Sequence, residues 1–137
     1  MEEVAACERV LGVPLPVDYV KFITTVANGG YFGGFYMLPL QDTHQYTVCQ
    51  PFTYDPATYV AEDDGYDFPE DAANNGCIGL ADYGCGSFAV LVLLGPEQDF
   101  VWEFWGAADM LWHRTGKRFN EWIERRLDSE LVRNRAR

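Results

Sequence analysis

Six carboxylates lie within ten residues in the middle of the chain, closer together than any other group of side chains that could do chemistry. They are Glu62, Asp63, Asp64, Asp67, Glu70 and Asp71. Such a group could ligate calcium, act as paired acid and base in hydrolysis, or form an acidic recognition surface. The Asp-x-Asp-x-Asp-Gly spacing of a calcium loop is absent, and no sequence feature indicates the shaped cleft that paired hydrolytic carboxylates need.

Tyrosines are interspersed with these acids, and Tyr59 and Tyr66 belong to the same segment. Tyrosine side chains commonly anchor protein interfaces, while charges steer encounter and set specificity. We therefore predict that the segment from Tyr59 to Asp71 binds a partner. A solvated acidic loop without a binding role is the alternative.

Thiol and imidazole groups are the next candidates. The cysteines are Cys7, Cys49, Cys77 and Cys85. They are scattered without a Cys-x-x-Cys pair, so the sequence predicts reduced thiols and no metal site. Cys85 with His44 or His113 could form a nucleophile and its base, but no catalytic signature surrounds it, and cysteine is usually a small core residue.

Two glycine-rich stretches could in principle cradle phosphate. Residues 84–89, Gly-Cys-Gly-Ser-Phe-Ala, match Gly-x-Gly-x-x-Ala, but an apolar strand follows instead of the helix that a dinucleotide site needs. Residues 28–34 follow a predicted helix, so carbonyl groups and not amides are left unpaired there. We interpret the first stretch as a hairpin turn and the second as a helix stop, and predict no cofactor.

Five large aromatic residues late in the chain could line a sugar pocket. They are Trp102, Trp105, Trp112, Phe119 and Trp122. Because they lie on faces with apolar periodicity, we predict that they belong to the core.

Charge distribution restricts the class of partner. Residues 1–113 contain 17 acidic and two basic residues, a net charge of −15, whereas residues 114–137 carry a net +4. Nucleic acid and anionic membranes are poor partners for such a surface, and a basic protein is a good one. The longest apolar run, Phe88 to Leu94, is far shorter than the roughly 20 residues that span a bilayer. The sequence thus predicts a soluble, cytoplasmic protein.

Hydrophobic periodicity predicts the elements that position these residues. Residues 2–11 and a second segment from Pro16 to the Asn-Gly-Gly at 28–30 have helical spacing. Residues 31–40 indicate a turn into a strand. Residues 77–81, 88–94 and 100–105 alternate or are wholly apolar, which predicts a three-stranded antiparallel meander, with a tight connection at 82–86 and a turn at 95–99.

A closing helix is predicted from about Lys117, with an apolar stripe and arginines near its end. The fold class is therefore α+β: a single antiparallel sheet of about four to six strands, packed by two N-terminal helices and one C-terminal helix. We expect one domain over residues 1–137, with residues 133–137 forming a frayed tail.

Three blocks of this sequence resemble the SUKH superfamily of Smi/Knr-type fungal cell-wall regulators and bacterial immunity proteins. The first block is Leu11–Phe22, which closes at Asn28-Gly29-Gly30. The second is Ile78–Gly86, and the third is Arg118–Ile123. They cover nearly the whole chain in the family's order.

The resemblance implies a recognition domain without catalytic residues. In bacteria it implies an immunity protein that binds and neutralises a cognate polymorphic toxin, such as a nuclease or another basic effector domain. The fungal relatives imply instead a regulatory scaffold without a toxin partner, and a thiol enzyme built on Cys85 is a further alternative.

Overall fold

The computed structural model describes residues 2–32, 35–40, 76–106 and 112–135. Two helices come first, six strands follow, and a long helix closes the chain. These elements are α1 (Glu2–Leu11), α2 (Val17–Thr25), β1 (Gly30–Tyr31), β2 (Tyr36–Met37), β3 (Cys77–Gly84), β4 (Ser87–Val92), β5 (Phe100–Phe104), β6 (Trp112–Arg118) and α3 (Phe119–Arg135). None of the helices in the described residues is long and apolar enough to cross a membrane.

The strands of the described residues form one six-stranded antiparallel sheet in the order of the chain, from β1 to β6. This confirms the predicted α+β class with its two N-terminal helices and one C-terminal helix. The prediction of a single domain with a frayed tail at 133–137 stays a prediction.

The sequence did not predict two of the strands, namely β1, which lies where a helix stop and a turn were expected, and β6. Strand β6 is the longer of the two. Of its seven residues only Trp112 is buried, so the segment lacks the apolar alternation that indicates a strand. Among the described strands it lies at the edge of the sheet and pairs with β5 alone, with Gly116 in a left-handed conformation at an irregularity in the pairing. The closing helix accordingly begins at Phe119, two residues later than predicted.

The predicted connection at residues 82–86 was too long. Strand β3 continues to Gly84, and the turn into β4 consists of Cys85 and Gly86. Both turn residues have positive φ, 54° and 81°. The glycine-rich stretch is therefore a β-hairpin, as interpreted from the sequence, and the element that follows it is a strand.

Both faces of the central strands are covered. Ala89 and Leu91 of β4 pack with the helices in one cluster, while Val90 and Val92 belong to a second cluster that includes Trp102. This confirms the prediction that a strand apolar on both alternating sets is buried on both sides.

Asp18 joins the two ends of the chain. One of its carboxylate oxygens accepts a hydrogen bond from the backbone N–H of Asn120, 3.0 Å away, in the first turn of α3. The neighbouring Tyr19 is fully buried and meets Phe119 edge to face, with ring centroids 5.2 Å apart. Because the first amides of a helix have no partner within it, this carboxylate both caps α3 and fixes its start against α2.

The helix stop after α2 depends on a close backbone approach. The side-chain oxygen of Asn28 accepts a hydrogen bond from the Leu40 N–H at 2.7 Å. Gly29 has φ of 90°, and a Cβ there would lie 2.7 Å from the backbone nitrogen of Pro39. Only glycine satisfies both the conformation and the space.

Candidate partner-binding site

Glu103 is a buried carboxylate in the middle of β5. Its position alternates with Trp102 and Phe104, so it points to the same face as Val101, toward the helices. The residue is only 8% exposed. Since an ionised carboxylate in such a place is costly unless it is paired, its partners determine what the site can do.

Three donors converge on one oxygen of this carboxylate. The Tyr83 hydroxyl and the Arg126 guanidinium each donate a hydrogen bond to Glu103 Oε2, and the indole N–H of Trp122 donates to the same atom at 3.2 Å. The donors come from β3 and α3, so the carboxylate ties the closing helix to the sheet. Charge-assisted hydrogen bonds of this kind are about twice as strong as neutral ones.

Arg126 also lies against two aromatic rings. Its guanidinium carbon is 4.7 Å from the Tyr83 ring centroid and 5.8 Å from that of Trp105. The two rings are themselves stacked, with centroids 4.9 Å apart and planes 9° from parallel. We call Tyr83, Trp105 and Arg126 the platform, and Glu103 is its anchor.

The surroundings keep the platform in one protonation state. Burial raises the pKa of the Tyr83 hydroxyl, and the neighbouring charge of Glu103 raises it further. Burial lowers the pKa of Arg126, but Tyr83 and Glu103 outweigh that effect, so the net shift is upward. At neutral pH Tyr83 is therefore a neutral hydrogen-bond donor and Arg126 a cation, which suits recognition better than proton transfer.

The anchor and the platform differ in how much solvent they meet. Glu103 and Trp122 are buried, whereas Tyr83, Trp105 and Arg126 are each partly exposed. Among the described residues no group of three or more His, Cys, Asp or Glu side chains is arranged to hold a metal ion. The arrangement can offer a partner two flat rings and a fixed positive charge.

All eight side chains predicted to bind a partner lie outside the residues that the structure describes. They are Tyr59, Glu62, Asp63, Asp64, Tyr66, Asp67, Glu70 and Asp71. Their role stays a prediction.

The thiol candidate can be placed in part. Cys85 is exposed at the β3–β4 turn, and His44 lies outside the described residues. His113 is on β6, and β5 separates that strand from β4, so two strand spacings of about 5 Å each lie between their backbones. The Cys85 thiol has no hydrogen bond to a described side chain, and the sheet does not bring His113 to it as a base.

Four of the five late aromatic residues are core residues, as predicted, and Trp105 is not. Trp102, Trp112, Phe119 and Trp122 are all buried. Trp105 follows the last residue of β5 and is only half-buried, because its ring covers Tyr83 at the surface instead of entering either core cluster.

Glu103, Tyr83 and Arg126 were not predicted from the sequence to form a site. One signal was present: Glu103 occupies a position of β5 between apolar residues, on the alternating set that includes Val101. When a single acidic residue lies on a strand face whose other residues are buried, its carboxylate is expected to be paired with a hydrogen-bond donor. Arg126 lies four residues after Trp122, on the same helix face, but only the fold brings Tyr83 to them.

Comparison with known proteins finds a match to a protein family. A family model described as the SMI1 / KNR4 family (SUKH-1) matches residues 1–125. No curated protein and no solved structure matches the chain. The match includes the two N-terminal helices, the sheet and the start of α3, and with them every residue of the three blocks noted in the sequence.

Proposed function

The chain belongs to the SMI1 / KNR4 family (SUKH-1), and from that premise we propose that it is a non-catalytic protein that works by binding another protein. The observation that carries this proposal is the platform of Tyr83, Trp105 and Arg126 held by the buried Glu103 carboxylate. No step of chemistry is needed to explain why these side chains are fixed together at the surface.

Three physical features support recognition at the platform. Tyrosine, tryptophan and arginine are the residue types most enriched where interfaces derive most of their binding energy. The hydrogen bonds to Glu103 immobilise Tyr83 and Arg126 before a partner arrives, so less side-chain entropy is lost on binding. The partly exposed rings can be desolvated by a partner while the charge of Arg126 stays paired.

We propose further that the partner is a bacterial toxin and that the chain acts in the cytoplasm as its immunity protein. The net charge of −15 over residues 1–113 supports a basic partner, because complementary charge raises the rate of encounter. In this proposal the acidic segment from Tyr59 to Asp71 provides carboxylates, and the platform provides aromatic contacts.

Co-expression with a candidate toxin tests the proposal. The probe is the protein encoded beside this gene, expressed in a host with and without the chain, and growth is the readout. We expect the chain to restore growth and to co-purify with the toxin at one to one stoichiometry. A toxin that stays fully active in the presence of excess chain, with no complex in gel filtration, would contradict the proposal.

Variants of the purified chain test which surface binds. Trp105→Ala should weaken toxin binding by about 30-fold, the loss of roughly 2 kcal/mol expected at an important interface aromatic. Tyr31→Ala is the matched control, since Tyr31 is an 83% exposed aromatic in the edge strand β1 and is not part of the platform, and it should change binding by less than about threefold.

A second variant tests the acidic segment, in which Asp63, Asp64, Asp67 and Asp71 are replaced together by alanine. If the affinity for the toxin does not change on that replacement, the segment is not the contact surface.

A regulatory scaffold without a toxin partner is the second reading of the family. The genomic neighbourhood discriminates between the two. A toxin reading frame beside this gene supports immunity, and an isolated gene favours the scaffold.

A further inference from the structure

A groove of about 310 Å³ opens between β6 and the first turns of α3. It adjoins the platform, because Arg126 of the platform and its anchor Glu103 also line the groove. The residues that line it are Glu103, Thr115, Lys117, Trp122, Arg125 and Arg126. Trp122, Arg125 and Arg126 are three and four positions apart on α3, so they share one face of the helix.

The charges in this groove do not balance. Among the described residues that line it, Glu103 is the only carboxylate, and it is paired with Arg126 and also accepts hydrogen bonds from two other side chains. Lys117 and Arg125 form no ion pair within the described part of the chain. The groove therefore has two positive charges that no carboxylate among the described residues neutralises.

Acidic residues near the groove do not remove this excess. Glu121 and Asp128 lie about one helical turn before and after Arg125, and both are exposed. Neither reaches ion-pair distance of a described basic side chain. Exposed charges at longer range are weakened by salt over about 8 Å under physiological conditions.

The groove lies mainly in the basic part of the chain, since residues 114–137 carry a net +4 whereas residues 1–113 carry −15. A long polyanion such as nucleic acid would extend past this basic part and meet the strongly negative remainder of the chain. A short anionic segment would contact only the groove. The volume is at the lower end of the range for ligand sites, which also suits a few side chains better than a folded domain.

We propose that this groove binds a short acidic segment of a partner protein, with Lys117 and Arg125 pairing with its carboxylates over the buried Trp122. The Thr115 hydroxyl donates to the carbonyl oxygen of Val101 at 2.6 Å and accepts from the backbone N–H of Lys117 at 3.1 Å, so it fixes the backbone of Lys117 beside the groove. The inference goes beyond the proposed function, since it assigns a contact of opposite charge to the acidic surface and does not require a toxin.

A titration with defined peptides tests it. The probe is a blocked hexapeptide of alternating glutamate and aspartate, and the reference is the matching peptide of glutamine and asparagine. Binding is followed by the NMR signal of the Trp122 indole N–H at low ionic strength, about 50 mM salt. We expect saturable binding of the acidic peptide with a Kd below about 1 mM, and none of the neutral peptide.

The chain offers a control of equal charge. The double variant Lys117→Gln with Arg125→Gln removes two positive charges from the groove, and Arg9→Gln with Lys21→Gln removes two exposed positive charges elsewhere. Both variants have the same net charge. The groove variant should weaken acidic-peptide binding by about tenfold, while the control should change it by less than about twofold.

Several results would overturn the inference. Equal weakening by both double variants would mean that binding follows net charge alone. Tighter binding of a thymidine hexanucleotide than of the peptide would assign the groove to nucleic acid. A wild-type chain that dimerises, and that becomes monomeric in the groove variant by light scattering, would make a second copy the occupant. Circular dichroism of each variant checks that it folds.

Discussion

Glu103→Gln tests whether the buried carboxylate holds α3 to the sheet. Glutamine has nearly the same shape and keeps one acceptor oxygen, but it has no charge. The substitution therefore leaves the volume of the core unchanged and removes the charge that pairs with Arg126. Any loss of stability then reports on electrostatics and hydrogen bonding and not on a cavity.

The expected loss of stability depends on how deeply the Glu103–Arg126 ion pair is buried. Removing one partner of a fully buried ion pair costs about 3–5 kcal/mol. Here the Arg126 side chain remains 31% exposed, so water can solvate part of the charge that loses its partner. The amide oxygen also still accepts from Trp122 or Tyr83. We therefore expect the free energy of unfolding to fall by about 2 kcal/mol.

Urea unfolding at neutral pH, followed by circular dichroism at the helical band, measures this change. Glu124→Gln is the control, because Glu124 is exposed on the same helix and forms no ion pair with a described residue. The control should stay within about 0.5 kcal/mol of the wild type. Arg126→Met, alone and combined with Glu103→Gln, completes a double-mutant cycle whose coupling should reach about 1 kcal/mol.

Two results would refute the reasoning. If Glu103→Gln unfolds within about 0.5 kcal/mol of the wild type, the carboxylate does not hold the helix in place. If the cycle shows no coupling, Arg126 stabilises the fold through its packing on the aromatic rings and not through Glu103.

Three other changes have defined outcomes. Gly29→Ala should destabilise the fold by clearly more than Gly12→Ala in urea unfolding, since both have positive φ but only Gly29 also meets backbone atoms closer than 3 Å. Asp18→Asn should cost about 1 kcal/mol in the same assay, because the charge that caps α3 at Asn120 is lost. Burial raises the pKa of Cys77 to about 12 from an ordinary value near 9. The buried neutral thiol therefore contributes its full stability to the fold below pH 9, and this contribution is lost as the pH rises toward 12. The difference in unfolding free energy between the wild type and Cys77→Ala should therefore shrink between pH 9 and 11, and a constant difference would contradict the shift.

Local pattern was sufficient for most of the fold. In two elements the residue types themselves indicate which side chains are buried. They are the helix over residues 2–11, with its helical spacing of apolar residues, and strand β4, which lies in a wholly apolar run. Strand β6 was not predicted because its residues are mostly polar and show no apolar alternation. An edge strand hydrogen-bonds to a neighbour on one side only, so its position in the sheet does not require apolar residues.

Sequence alone determined the class of this protein: a first helix that ends before Gly12, a second that begins after Pro16, an antiparallel sheet, an excess of acidic residues and three blocks in the order of one family. Only the tertiary structure decided that Glu103 is an anchor. Its three donors lie 19 to 23 residues away along the chain, on β3 and α3. Residue spacing within one helix or strand reports which face a side chain occupies, whereas a hydrogen bond between elements depends on how those elements pack, and that is a property of the whole fold.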